Sequence, residues 1–272
     1  MLLFIWALHK METLGCNSNS NFKIKNLFTF SHFSLHHERS TLKIGTDSVL
    51  LGALTPLENV KSVLDIGCGC GIIAFCIGYR LSVQSTAHRQ IITGIDPDEE
   101  SIKESRLNLE QFPIGKNQHF EFYCEKIQNY AMHTADMFDL IVSNPPYFHN
   151  SLKPENPQKI ASKHGDRNLS YDELIDYSLQ LLNPSGSLSL ILPTTESTYF
   201  KKSAENKLYL KQEIEIRPTI YKAANRNIMT FTKQSSSSID RQTLCIRDGA
   251  QQYTEEYQRA TRDFYPAFFE RT

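Results

Sequence analysis

The chain has 272 residues, of which 40% are hydrophobic and 22% are charged, a balance that is ordinary for a globular protein. Its formal net charge is -1 at pH 7, which excludes a protein that binds polyanions over its whole surface; a nucleic-acid site would be a local patch. The six cysteines lack the paired CxxC or Cys and His spacing of a zinc site, so we predict reduced thiols, no metal and a cytosolic location.

Residues 1–22 are predicted to be a disordered leader that precedes the fold. The apolar segment Met1 to Leu8 is too short to span a membrane, and it has neither a basic segment before it nor a cleavage site directly after it. A polar run of Asn and Ser follows at 17–21. No later segment is apolar for long enough to cross a membrane, so we expect no membrane contact and a single domain over residues 23–272.

Predicted strands and helices alternate from about residue 60 onward. Strands are predicted at 63–66, 91–95, 120–124, 138–143 and 187–192, and helices at 72–80, 97–109 and 171–182. Ser170 and Glu173 have the spacing of a capping box at the start of the last helix. This alternation is typical of a parallel sheet with helices on both faces, which is a Rossmann-like α/β fold.

Three further apolar runs follow the fifth strand, with little helix between the last two. They lie at 210–218, 227–232 and 243–247, and the polar segment 234–238 is predicted to be the tip of a hairpin. We expect these runs to form an antiparallel end of the same sheet. The overall expectation is a mostly parallel, seven-stranded sheet with one antiparallel strand near its C-terminal edge.

A glycine-rich turn joins the first strand of this sheet to the helix that follows. The sequence LDIGCGCG places Asp65 in the strand and Gly67, Gly69 and Gly71 at alternate positions after it. Glycine allows a positive φ and a close approach of the backbone to a ligand, and ligands of open α/β sheets lie at the carboxyl ends of strands. A tight turn without a ligand is the alternative for this pattern alone.

Asp96 ends the next strand, where a carboxylate can accept hydrogen bonds from both hydroxyls of a ribose. The glycine spacing differs from GxGxxG, and no lysine or arginine lies nearby to meet phosphates, so a nucleoside ligand is favoured. This pattern resembles motif I and the acidic strand end of class I S-adenosylmethionine-dependent methyltransferases.

The resemblance to class I methyltransferases implies a role for each of these groups. The glycine turn, with Asp65, faces the methionine part of the cofactor, and Asp96 holds its ribose. Glu125, directly after the third strand, lies where such enzymes commonly contact the cofactor adenine. A solvated surface acid is an equal alternative for Glu125.

The fourth strand ends in Asn144-Pro145-Pro146-Tyr147, beside the place where this fold holds the cofactor methyl, so Asn144 is also expected to contact the cofactor. This motif resembles the signature of methyltransferases that act on planar nitrogens, either the adenine N6 or a glutamine amide. The Asn144 side-chain oxygen and the Pro145 carbonyl can each accept one N–H bond from the amine, which fixes its position. Tyr147 can stack on a planar substrate, and Phe148 adds a second apolar wall. A rigid turn without a chemical role is the alternative for the motif alone.

The segment KIGTDSVLLGAL, at 43–54, narrows the choice between the possible substrates. Together with SNPPYF and the tail YTEEYQRATRDFY, it resembles the bacterial tRNA-valine adenine-37 N6-methyltransferase family, from about Phe28 to the C-terminus. The resemblance implies that Thr46 and Asp47 cover the cofactor. For Asp47, a helix N-cap ahead of the apolar run is an alternative, and the two roles can coexist.

The chain departs from this family's pattern after the active-site loop, where relatives usually have Ala-Arg-His. Here the residues are Ser162-Lys163-His164. Lys163 keeps the positive charge but cannot form the bidentate contact of an arginine. We interpret Lys163 and His164 as substrate-binding residues, and His164 as a loop residue near the substrate rather than a general base.

The resemblance implies a tRNA anticodon loop as the partner, in which an adenine is already unpaired and is flipped at little cost. Two net basic stretches, at 153–167 and 201–226, lie where they would rim the pocket. Three rivals remain: a glutamine methyltransferase of the release-factor type, a DNA adenine methyltransferase and a non-catalytic RNA-binding relative. The first lacks its usual N-terminal helical domain here and the second its target-recognition domain, and intact motif residues argue against the third. No obligate protein partner is evident.

Overall fold

The computed structural model describes residues 27–40, 44–84, 88–146, 169–235 and 237–265. The predicted leader at 1–22 and the predicted site residues Tyr147, Phe148, Lys163 and His164 lie outside these ranges. The described elements in chain order are β1 (Leu27–Thr29), β2 (Ser34–His36), α1 (Thr46–Leu54), β3 (Ser62–Ile66), α2 (Ile72–Val83), β4 (Gln90–Asp96), α3 (Glu99–Gln111), β5 (Gln118–Cys124), α4 (Ile127–His133), β6 (Phe138–Ser143), α5 (Tyr171–Leu181), β7 (Leu182–Pro193), α6 (Thr194–Ala204), β8 (Tyr209–Thr219), β9 (Arg226–Thr232), β10 (Asp240–Arg247) and α7 (Glu255–Thr261).

The main sheet has the strand order β10-β8-β9-β7-β6-β3-β4-β5. Strand β9 is antiparallel to both of its neighbours, and every other neighbouring pair is parallel. The structure thus confirms a mostly parallel α/β sheet with one antiparallel strand near the C-terminal edge. The described sheet has eight strands rather than the expected seven, because all eight apolar runs identified in the sequence, the last of them β10, join the same sheet.

The predicted hairpin at 234–238 is wrong. Strands β9 and β10 are not neighbours, because β8 lies between them, and β10 runs parallel to β8. The burial of the two strands explains this order. Residues 227–231 of β9 are all buried, as in a strand with neighbours on both sides, whereas the first four residues of β10 are exposed, as at an edge.

Hydrophobic cores cover both faces of the sheet, as the alternation predicted. Helices α1, α2, α3 and α7 pack on one face, where the rings of Phe75, Phe112, Phe120 and Phe122 form an aromatic cluster. Helices α4, α5 and α6 pack on the other face around Phe138 and further rings. The described strand ends at the carboxyl edge of the sheet therefore lie between two closely packed layers.

The starts of helices α5 and α1 test two predictions about helix capping. The capping box at α5 is confirmed, because the Ser170 hydroxyl accepts the N–H of Glu173 and the Glu173 carboxylate accepts the N–H of Ser170. Helix α1 begins at Thr46 with Gly45 as its N-cap, so the N-cap alternative for Asp47 is wrong. In the part of the chain that the structure describes, no helix has both the length and the apolar character that a membrane span requires.

Candidate active site

Three neighbouring strands end at one level on the carboxyl edge of the sheet. Ile66 of β3 is paired with Ile95 of β4 and with Ser143 of β6. The next residue of each strand is therefore Gly67, Asp96 and Asn144, and neighbouring strands lie about 4.8 Å apart. The fold brings the glycine turn, the predicted ribose acid and the predicted catalytic asparagine together.

The three glycines of the turn are required for different physical reasons. Gly67, Gly69 and Gly71 have φ values of 73°, 56° and 86°, which are left-handed and favour glycine. A Cβ on Gly67 would meet no atom within 4 Å, so the space beside it is open to a ligand. A Cβ on Gly71 would lie 2.6 Å from the ring of Phe75, so that glycine serves close packing.

Asp96 is buried and organises the turn. One carboxylate oxygen accepts the N–H of Gly69 at 3.0 Å, and the other accepts the N–H of Asp98 at 2.9 Å. Burial raises the pKa of Asp96 above its ordinary value. A carboxylate offers about four acceptor positions, so capacity remains for the hydroxyls of a ribose.

Asp65 is fully buried beneath the turn and is only partly satisfied. Its Oδ2 accepts the N–H of Ala74 at 3.1 Å, whereas its Oδ1 has no hydrogen-bond partner among the described residues. Burial, with a smaller contribution from the charge of Asp96, raises the pKa of Asp65 to about 7. An unsatisfied buried acceptor is costly in the ligand-free protein and fits a site completed by a cationic ligand.

Asp65→Asn is expected to stabilise the ligand-free protein increasingly as the pH rises from about 4 to about 7. The pKa of Asp65 is higher in the folded than in the unfolded protein. Its contribution to the free energy of unfolding is therefore fully present at low pH, where the carboxyl is neutral in both states, and is lost as the pH rises through the folded-state pKa of about 7. The difference in unfolding free energy should reach a few kcal/mol and level off above that pH. Urea unfolding across the pH range measures it, with the exposed Asp136→Asn as the control. Parallel pH curves for wild type and Asp65→Asn would contradict the assignment.

The cysteines of the turn are not reactive. Burial raises the pKa of Cys68 well above its ordinary value and that of Cys70 to about 12, so both are protonated thiols at neutral pH. The described cysteines are all free, in keeping with the prediction of reduced thiols.

Asn144 is held by helix α1. Its side-chain Nδ2 donates to the Ser48 hydroxyl at 3.1 Å. Because the amide nitrogen is occupied, the side-chain oxygen is the group left to accept a bond from a substrate. Pro145 is buried and Pro146 is exposed, so the described part of the motif is anchored on one side.

The residues of α1 that were predicted to cover the cofactor have visible structural roles. The Asp47 carboxylate forms an ion pair with Nε of Arg226, at the start of β9, at 2.8 Å. Thr46 is half-buried in the first turn of the helix. Sequence reasoning missed Ser48 and Arg226. A signal for Ser48 was available, because a serine within an apolar helical run is buried and requires a partner.

Glu125 lies beside Asp96, at the end of the neighbouring strand. Its N–H donates to the Asp96 carbonyl at 3.0 Å, and its carboxylate is 2.8 Å from Nε2 of His133. The Glu125 side chain is 22% exposed and is partly covered by this contact. Its predicted contact with the cofactor adenine remains a prediction.

The segment before α1 is fastened to the glycine turn by two buried side chains of α3 that sequence reasoning did not identify. The Glu104 carboxylate accepts three N–H bonds, from Glu38, Arg39 and Ser40. The Asn108 side-chain oxygen accepts the N–H of His36, and its Nδ2 donates to the carbonyls of His36 and, at 3.0 Å, of Cys70. These bonds fix the segment that leads into α1 relative to the turn.

Four features together define a class I methyltransferase. They are the mostly parallel sheet, the open glycine turn on its central strand, the acid on the next strand and the Asn-Pro-Pro motif on the strand at the other side. The model of the methyltransferase small domain family matches residues 37–206. The tRNA1(Val) (adenine(37)-N6)-methyltransferase of Pseudoalteromonas translucida is 34% identical, covering 88% of this chain and 97% of that protein. A protein of the same name from Bacteroides fragilis is 32% identical over 88% of this chain and 97% of its own length.

Among solved structures, a predicted O-methyltransferase from Agrobacterium tumefaciens has a TM-score of 0.61 at 16% identity, covering 80% of this chain and 96% of that one, which shows the fold alone. The chain belongs to the methyltransferase small domain family and, within it, to the family of the tRNA1(Val) (adenine(37)-N6)-methyltransferases. It is a methyltransferase, and its cofactor is S-adenosylmethionine. The open space at Gly67, the unsatisfied Asp65 oxygen and the Asp96 carboxylate fit that cofactor.

Proposed function

We propose that this protein methylates the N6 amine of an unpaired adenine in tRNA, namely adenine 37 of tRNA-valine. The observation that carries the proposal is the hydrogen bond from Asn144 to Ser48, which leaves an amide oxygen as an acceptor at the end of β6, level with the glycine turn. The names of the curated relatives support tRNA as the substrate.

The chemistry requires orientation more than a strong base. The lone pair of an adenine amine is delocalised into the ring, so the amine is a poor nucleophile. The Asn144 oxygen and the Pro145 carbonyl each accept one N–H bond, which fixes the amine and favours a pyramidal nitrogen. S-adenosylmethionine, when bound, supplies an electrophilic methyl group on a sulfonium. The new N–C bond would form as the S–CH₃ bond breaks, which would leave the donor as a neutral thioether and the amine as a cation. That cation is acidic and would lose one N–H proton to water.

The remaining site residues complete the proposal. Asp65, Gly67 and Gly69 bind the methionine part of the cofactor, Asp96 its ribose and Glu125 its adenine. Thr46 and Asp47 lie over it on α1, and Gly71 shapes the turn.

The residues outside the described ranges have proposed roles in substrate binding. Tyr147 stacks on the target base, and Phe148 forms a second wall of the pocket. Lys163 and His164 contact the RNA beside it. The partner is the anticodon loop, and the reaction takes place in the cytoplasm, without a metal, a membrane or an obligate protein partner. A single domain over residues 23–272 performs it.

The proposed function is tested with the purified protein, S-adenosylmethionine and an unmodified tRNA-valine transcript. Mass spectrometry of the nucleosides should find N6-methyladenine at position 37, and a transcript with guanine there should stay unmethylated. A glutamine side chain offers the same NH₂ group to Asn144 and Pro145, so a release-factor peptide is the second substrate in the assay. Methylation of the peptide and not of the tRNA would overturn the proposal.

Ser48→Ala is expected to lower kcat about tenfold, the equivalent of one hydrogen bond that holds the Asn144 amide in its productive orientation. Ser48→Thr keeps the hydroxyl and should retain most of the activity. Single-turnover rates measure the effect, and the affinity for S-adenosylmethionine should change by less than about twofold. Ser178→Ala is the matched control, because Ser178 is equally buried and its hydroxyl has no partner among the described residues. Equal rates for wild type and Ser48→Ala would refute the positioning role.

A further inference from the structure

The turn at 220–225, between β8 and β9, exposes two large apolar side chains. Tyr221 is 77% exposed and Ile220 is 43% exposed. We refer to residues 220–225 as the Tyr221 turn. Adjacent exposed apolar side chains with polar neighbours indicate an interaction surface more than a random surface position does.

Hydrogen bonds hold the Tyr221 turn in one conformation. The guanidinium of Arg217 donates to the carbonyls of Ile220 and Lys222 at 2.8 and 2.9 Å. The N–H of Ile220 donates to the Arg247 carbonyl on the neighbouring strand β10 at 3.2 Å. A surface that is ordered before binding loses less conformational entropy when a partner contacts it.

The Tyr221 turn lies on the same edge of the sheet as Asn144. Because β9 is antiparallel to both β7 and β8, those two strands point in the same direction as β6. The N–H and the hydroxyl of Thr194, directly after β7, donate to the carbonyls of Asn225 and Ala224. Three strand spacings, about 15 Å, separate β8 from β6 across the sheet, so the turn forms a wall at the rim of the site.

The wall is continuous with the catalytic motif. Arg226 follows the Tyr221 turn directly and forms the ion pair with Asp47 of α1. The next residue of that helix, Ser48, holds the amide of Asn144. A substrate that contacts the turn therefore lies against a surface that is connected to the reacting groups by side-chain contacts.

The charge of the wall is positive. Arg217, Lys222 and Arg247 lie in the turn or on the strand ends beside it, and the structure shows no ion pair of the Lys222 ammonium with a described residue. The nearby acid Asp248 accepts the N–H bonds of Ala250 and Gln252. An exposed ring beside a lysine that forms no ion pair with a described residue suits single-stranded nucleic acid, in which bases stack on aromatic rings and phosphates meet cations.

We propose that the Tyr221 turn is a contact surface for the RNA substrate. The ring of Tyr221 stacks on an unpaired base near the target adenine, and Lys222 contacts a phosphate of the same strand. The inference rests on the proposed function, because it names the part of the protein that receives the RNA around the methylated base.

Steady-state kinetics on an unmodified tRNA-valine transcript test this surface. Tyr221→Ala should raise the KM for tRNA roughly 5- to 100-fold, with kcat within about twofold, and Tyr221→Phe should stay close to wild type. Lys222→Ala should weaken binding and reduce the slope of log affinity against log salt by about 0.7, the value for one phosphate of a single strand. Calorimetry with S-adenosylmethionine should give wild-type affinity for each variant, which shows that they are folded.

The same strand supplies matched controls. The basic stretch 201–226 does not rim the pocket over its whole length, because β8 begins at the opposite edge of the sheet. Tyr209 and Lys211 are exposed near the amino end of β8, about 30 Å from the turn, so Tyr209→Ala and Lys211→Ala should leave the KM unchanged. A wild-type KM for Tyr221→Ala, or an equal rise for Tyr209→Ala, would overturn the inference while the proposed function stands. So would a change in self-association of Tyr221→Ala in sedimentation, which would assign the turn to contact between copies. A wild-type protein that methylates no tRNA would overturn the proposed function and this inference with it.

Discussion

Asn144→Ala is expected to lower the rate of methyl transfer to tRNA by about 10²- to 10³-fold, the range for loss of a pre-organised group that stabilises a transition state. The alanine removes the oxygen that is proposed to orient the amine and leaves the Ser48 hydroxyl without its donor. Single-turnover assays with saturating tRNA and S-adenosylmethionine measure the rate of the chemical step. Cofactor affinity should change little, because the glycine turn and Asp96 are the groups proposed to hold the cofactor.

Asn183→Ala is the control for the Asn144 variant. Asn183 is also an asparagine of intermediate burial with a side-chain partner, Asp139 at 2.7 Å, but it lies at the opposite edge of the sheet. The Asn183→Ala variant should methylate tRNA at close to the wild-type rate. A rate for Asn144→Ala within threefold of wild type would remove Asn144 from the mechanism and leave the motif as a rigid turn.

Asp96→Ala is expected to weaken the binding of S-adenosylmethionine by about 10²-fold or more, because two effects add. The variant loses the proposed acceptors for the ribose hydroxyls, and hydrogen bonds to a charged group contribute about 1.5–3 kcal/mol each. It also leaves the N–H groups of Gly69 and Asp98 without their partner, which loosens the turn that faces the cofactor. Titration calorimetry measures the affinity.

Asp139→Ala separates loss of the cofactor site from general loss of stability. The Asp139 carboxylate also accepts two backbone N–H bonds, from Lys61 and Ser62, but at the amino edge of the sheet. Both variants should unfold at lower denaturant concentration, and Asp96→Ala alone should lose cofactor affinity. Equal affinities for the two variants would refute the ribose assignment.

The strands and the chemistry at their ends could be predicted from the sequence, because each depends on a short stretch of chain. An apolar run of five or six residues between turn residues is buried on both faces wherever it lies in a parallel sheet. The end of each run is then at the ligand edge, so Asp96 and Asn144 were predicted to lie at the site before their neighbours were known. The capping box at Ser170 was equally local.

The order of the C-terminal strands could not be predicted in this way. Strands 227–232 and 243–247 are consecutive in sequence, and a polar segment between them is the usual signal of a hairpin. The structure instead inserts β9 between β7 and β8, because its buried residues require strands on both sides, and leaves β10 at the edge. Which strands pair is decided by burial in the whole sheet, and short-range patterns do not contain that information.

The sequence by itself determined which chemical groups this protein brings to its site: a flexible glycine turn, a carboxylate at one strand end and an amide followed by two prolines at another. Only the tertiary structure decided which group holds which. Ser48 and Asn144 are separated by 96 residues, and Asp47 and Arg226 by 179. Hydrogen bonds of this kind depend on the distance between atoms in space, and chain separation carries almost no information about that distance once the sheet and its helices have folded.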